Sequence, residues 1–125
     1  MNVQKPEEIL QRWAQRIEAE PEPYRPFKGR YLWSVSGPAG GSWILSPAEI
    51  PAVRPIPIEE VSRRHGRDQC RLELSGATLD RISSGKLNPQ TALIRGELII
   101  TGSTEDIFEL NFILERLIPD SSSGA

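Results

Sequence analysis

The sequence predicts an α/β domain of the α+β kind, and three observations carry that reading. Three stretches, KGRYLWSVS, CRLELSG and IRGELIITGS, alternate apolar and polar residues as half-buried strands do. Two longer stretches, one near each end of the chain, repeat apolar residues with the period of a helix. Proline and glycine clusters such as EPEPYRP and GPAGG separate these segments.

The first helix opens at Pro6, with Glu7 and Glu8 in the turn where the helix dipole favours acid. Ile9, Leu10, Trp13, Ala14 and Ile17 fall within one arc of about 140° at 100° per residue, opposite Gln11, Gln15 and Glu18, which predicts an amphipathic, lid-like helix. Prolines in EPEPYRP stop it, and residues 19 to 27 read as a connector. In the next segment Tyr31, Trp33 and Val35 share one face of a strand, GPAGG turns the chain, and SWILS returns as the second strand of a hairpin. Trp43 and Leu45 share its buried face and Ile44 points to the other side. Prolines at 47, 51, 55 and 57 exclude a central strand and leave room for an edge strand near Ala52 to Ile58, followed by a short helix over 58–64. Cys70, Leu72 and Leu74 alternate with Arg71 and Glu73 in a third clear strand that Gly76 ends. Leu79 and Ile82 share a face of a short helix stopped by Gly85, and NPQTAL forms a helical turn. Leu98 and Ile100 alternate with Glu97 and Thr101 in the last strand, and Ser103 or Thr104 opens the final helix. There Ile107, Leu110, Ile113, Leu114, Leu117 and Ile118 form a core-facing arc.

Length and composition narrow the function classes. A chain of 125 residues with 38% apolar content suits one domain, expected over residues 1–118, with a disordered tail at 119–125. Fifteen basic against seventeen acidic residues offer no broad field for a polyanion, so no nucleic-acid partner is expected. One cysteine cannot form an internal disulfide, MNVQKPEEIL has no signal-like apolar run, and no segment approaches the roughly twenty apolar residues of a membrane span. A soluble, cytoplasmic protein is the expectation.

In their order, the hairpin VSGPAGGSWILS and the run CRLELSGATLDRISSGKLNPQTALIRGELIITG resemble the sterol carrier protein 2 family. The resemblance covers roughly residues 5 to 118, and its specific parts are 31–46 and 70–118. It implies a five-stranded mixed sheet with helices packed on one face and a hydrophobic tunnel between the layers. It also implies a non-enzymatic carrier of sterols, fatty acids, acyl-CoA esters or similar lipids. Two departures stand out: a proline-rich stretch occupies the family's third strand, and SSSGA is no Ser-Lys-Leu type peroxisomal address.

On that reading Trp33, Val35, Trp43, Leu45, Leu72, Leu74, Leu98 and Ile100 floor the cavity, and Leu79, Ile82, Phe108 and Phe112 form its helical wall. Phe108 and Phe112 stand apart from the core arc, on a second stripe one turn apart, between Asn111 and Glu115 on one side and Glu109 and Arg116 on the other. A solvated face rarely spends two rings that can each bury on the order of 150 Å². Three uses stay open for them: packing on the first helix or hairpin, lining a ligand cavity, or touching another protein or a second copy of the chain. An empty apolar volume of about 300 Å³ costs roughly 7 kcal/mol at the known cavity coefficient, so a tunnel of that size is expected to be filled, wet at its mouth or collapsed.

Other chemistries find less support. His65 and Cys70 lack the spacing of a known nucleophilic pair, and Cys70 shares a face with Leu72 and Leu74, as a buried inert thiol does. One His and one Cys are too few for a standard zinc site, so neither metal nor cofactor nor catalytic residue is expected. Arg63, Arg64, His65 and Arg67 form a loop cluster offset by Glu59, Glu60 and Asp68, and its functional version is a landing site for anionic head groups or a membrane surface. The expected partner is an apolar small molecule or lipid, with a transient membrane or protein contact and a monomer or homodimer left open. The alternative is a family fold that has lost its tunnel and serves as an interaction or dimerisation module.

Overall fold

The computed structural model describes residues 4–63 and 70–118. Helix α1 (Pro6–Ala19) leads through a 3₁₀ turn (Glu22–Tyr24) to strands β1 (Tyr31–Ser36), β2 (Gly41–Leu45) and β3 (Val53–Ile56). Helix α2 (Ile58–Arg63), strand β4 (Cys70–Ser75), helices α3 (Gly76–Ser83) and α4 (Pro89–Ile94), strand β5 (Leu98–Gly102) and helix α5 (Thr104–Leu117) complete the chain. The five strands form a mixed sheet in the order β3-β2-β1-β4-β5, with β1 and β4 parallel and the other pairs antiparallel. A parallel pair in the middle needs a long crossover, and the chain between β1 and β4 supplies it.

Local chemistry sets these elements. Gly37 takes a φ of 111° in the β1–β2 turn, and a Cβ on Gly40 would run into the Val35 carbonyl, so this turn needs its glycines. The proline-rich stretch forms β3 at the sheet edge, where Pro55, lacking an N–H, leaves no central ladder short of a donor. Gly76 does not simply end β4. It is the first residue of α3, because Ser75 Oγ accepts from the Thr78 N–H and caps the helix there. The connector also orders: the 3₁₀ turn buries Tyr24.

The core lies between the sheet and α1, α3 and α5. Ile9, Leu10, Trp13, Ala14 and Ile17 are all buried, so α1 is part of the foundation and no lid; Trp13 meets the Trp33 ring edge-on at 5.5 Å between centroids. Arg16 Nη1 donates to the Leu117 carbonyl at 2.7 Å and ties α1 to the last turn of α5. On the other face, Val61 of α2 packs with Leu32, Ile44 and Ile56, so that side of the β1–β2–β3 region is covered as well. Residues 64–69, which include His65 and most of the basic cluster, and the 119–125 tail lie outside the described residues.

Candidate functional site

Trp43, Trp33, Leu72 and Ile100 stand opposite one another across β2, β1, β4 and β5, a single apolar row on the inner face. Its first three members are buried, while Ile100, on the edge strand, is only half-buried. Beside Ile100 the inner layer opens into a groove of about 200 Å³ between β5, α4 and α5. Helix α4 contributes Pro89, Gln90 and Leu93; α5 contributes Ile107, Phe108, Leu110, Asn111 and Leu114.

The local sequence explains why these side chains meet. Asn88 caps α4 by accepting from the Gln90 N–H at 2.7 Å, and Pro89 occupies the first turn, where no donor is lost. The helix buries Ala92 and leaves Leu93 and Ile94 exposed, the latter at 86%. Ser103 Oγ accepts from the Asp106 N–H and starts α5, which sets Leu110 and Leu114 inward and Phe108 on the groove's rim.

Of the residues expected to line a cavity, Ile100 and Phe108 line this groove. Trp33, Val35, Trp43, Leu45, Leu72, Leu74, Leu79, Ile82 and Leu98 sit in the continuous buried core and are not on its wall. The physical reason is that α1 and α5 press into the inner face, with Trp13 on Trp33 and Ile113 fully buried. The aromatic stripe divides. Phe112, 41% exposed, packs on Phe27 of the connector at 5.3 Å between centroids, under the Arg116 guanidinium at 4.9 Å, and does not line the groove. Phe108 is 71% exposed, with one side on the groove.

Leu93, Ile107, Leu110, Asn111 and Leu114 were not singled out as site residues from the sequence. The signal for Leu93 was present in TALI, where a short helix ends on two apolar residues and only Ala92 is needed inside.

Trp33 Nε1 is a buried donor with no acceptor among the described residues. Such a group costs on the order of 1–3 kcal/mol unless something accepts from it. Tyr31 Oη donates to Glu109 Oε1 at 3.2 Å, and burial first, then the Glu109 carboxylate, pushes the phenol's pKa well up. Burial pushes the Cys70 thiol up to about 11, so it is protonated and unreactive at neutral pH. Among the described residues no three His, Cys, Asp or Glu side chains gather to hold a metal ion, and no helix is long and apolar enough to cross a membrane. A second depression of about 420 Å³ is lined by Arg25, Lys28 and Glu49 with Phe27, Gly29, Ser46 and Ala48, and its charged residues are solvated.

A mixed five-stranded sheet with this order of helices matches a known pattern. The SCP-2 sterol transfer family model matches residues 7–115. The chain belongs to that family. The solution structure of the sterol carrier protein domain 2 of Helicoverpa armigera is similar at a TM-score of 0.70 and 21% identity, covering 94% of each chain. Palmitated SCP2L2 from Aedes aegypti is similar at a TM-score of 0.68 and 18% identity, over 89% of this chain and 95% of that one. UbiJ-SCP2, a ubiquinone synthesis protein, is similar at 0.55 and 17% identity, over 86% and 87%. A search of the curated proteins found no match. At these identities the likeness fixes the fold of this SCP-2 member; the chemistry of its groove rests on its own residues.

Proposed function

We propose that this SCP-2 protein is a non-enzymatic carrier that binds a long apolar ligand, and that the α4–β5–α5 groove receives one end of it. The supporting observation is Phe108. An aromatic ring 71% exposed on the rim of an apolar groove is poised to bury its free face against a hydrocarbon. The groove's volume of about 200 Å³ lies below the roughly 300–1,000 Å³ usual for small-molecule sites, so it holds part of a long chain. The rest of the ligand reaches the inner row by displacing side chains between the sheet and α5, toward the unpaired Trp33 indole N–H. That a relative is known in palmitated form supports a lipid ligand of this kind. We assign this role to one lipid-binding domain over residues 1–118 and place it in the cytoplasm, a compartment in keeping with a lone, buried, reduced Cys70.

Native mass spectrometry of gently purified protein is the direct test, and a co-purifying lipid that delipidation removes is the expected result. Phe108→Asp should then abolish lipid uptake while the protein stays folded. A ligand-free dimer that leaves added lipid unbound would instead favour the interaction module, with exposed Leu93, Ile94 and Phe108 as its contact surface.

A further inference from the structure

The groove's polar groups are few, and their charge is one-sided. Among its lining residues only Gln90 and Asn111 carry polar side chains, and both are neutral carboxamides. Asn111 Nδ2 donates to Glu115 Oε2 at 3.2 Å, which places a carboxylate one turn along α5 on the same stripe as Phe108 and Asn111. The bond also orients the amide, leaving the Asn111 carbonyl oxygen and one amide hydrogen without a partner among the described residues.

Among the described residues, the cations nearest the groove in the chain are engaged elsewhere or stand outside its lining. Arg95 and Arg81 both pair with Glu97, at 2.9 and 3.5 Å, and Arg116 lies over Phe112 outside the groove lining. Lys86, three residues before Pro89, is exposed and is not among the lining residues. The positive end of α5 is occupied too: Ser103 Oγ accepts from the Asp106 N–H and donates to the Asp106 carboxylate at 2.7 Å, with Glu105 in the same turn. A ligand carboxylate entering here would meet no cationic side chain among the described lining residues and would lie near the Glu115 carboxylate that Asn111 holds. A hydroxyl, carbonyl or ester end would find two carboxamides able to donate and accept.

We infer that Glu115, which stands outside the groove lining but is held at 3.2 Å by the lining residue Asn111, is a charge filter: it admits long-chain ligands with a neutral polar end and rejects carboxylates. The inference rests on the carrier reading above and narrows its ligand class. It sets this chain apart from a relative that holds palmitate.

The test compares dodecanol with dodecanoate, one chain length with two head groups, by displacement of a neutral fluorescent lipid from delipidated protein at pH 7.5. Wild type should bind the alcohol at least about tenfold more tightly, a difference of roughly 1.4 kcal/mol. Glu115→Gln should improve dodecanoate binding severalfold with little change for dodecanol, and Asn111→Lys, which puts a cation into the lining, should reverse the preference. Circular dichroism shows that both variants are folded, and retained dodecanol affinity confirms it for Glu115→Gln. Equal or tighter binding of dodecanoate by wild type would overturn the filter and leave the carrier standing. Unaltered discrimination in both folded variants would also overturn the assignment of these two residues. Failure of either probe, and of the fluorescent lipid, to bind would overturn filter and carrier together.

Discussion

Truncating Phe108 to alanine distinguishes a ligand wall from core packing, and the magnitudes follow from its exposure. A phenylalanine ring offers about 200 Å² for burial. At 71% exposure, only roughly 60 Å² of it rests against the protein. At about 25 cal/mol per Å² that contact is worth ~1.5 kcal/mol, and alanine's better helix propensity returns about 0.5 kcal/mol. Phe108→Ala should therefore cost about 1 kcal/mol and lower Tm by roughly 3–5 °C for a domain of this size. The neighbouring Leu110 is 1% exposed, and Leu110→Ala should cost about 2–5 kcal/mol. Binding should show the opposite order. A hydrocarbon covering half to all of the ring's free ~140 Å² gains about 1.8–3.5 kcal/mol, so losing the ring weakens affinity by roughly 20- to 300-fold. Thermal unfolding by circular dichroism gives the first quantity and displacement of a fluorescent lipid gives the second. A Phe108→Ala protein as destabilised as Leu110→Ala, with affinity unchanged, would refute the assignment of this ring to a ligand.

The remaining predictions concern the scaffold. Arg16→Met keeps an apolar stem but removes the bond to the Leu117 carbonyl; it should cost about 1 kcal/mol and speed amide exchange in the last turn of α5, and unaltered exchange there would show that the bond does not hold the helix end. Cys70, whose pKa rises from 9.0 to about 11 on folding, keeps its proton longer in the native state than in the unfolded chain. Its contribution to stability is whole below about pH 9 and is lost as pH climbs toward 11, with Tyr31 adding to the fall above pH 10. The urea midpoint should drop across that window, and Cys70→Ala should remove the part of the slope that begins near pH 9; an identical profile in the variant would contradict the burial of the thiol.

Much of the architecture was legible in the residues because burial on one face leaves a local periodicity. Ile9, Leu10, Trp13, Ala14 and Ile17 mark the inner side of α1, and Leu110, Ile113, Leu114 and Leu117 mark that of α5. Trp33 and Leu72 were assignable to the inner face, since alternation alone fixes which way a strand residue points. Even the awkward proline stretch could be assigned to an edge, because Pro55 cannot serve a central ladder.

Periodicity gives a face and is silent about what covers it. The two phenylalanines of one stripe shared a sequence signature, yet Phe112 found Phe27 on the connector and Phe108 found the rim of a groove. Nothing local to α5 encodes that split. The same holds for the expected cavity lining: Trp33, Leu72 and Leu79 point inward as expected and lie buried in the core, while the groove described above opens at the β5 edge. TALI marks Leu93 as apolar surface to spare, but that it shares a groove with α5 is decided by the fold. Residue order thus determined the elements, their inner faces and membership of a lipid-binding family, all of which depend on neighbours within a turn or a strand. Tertiary packing alone decided where the apolar layer gapes beside β5, because a gap belongs to several distant segments at once.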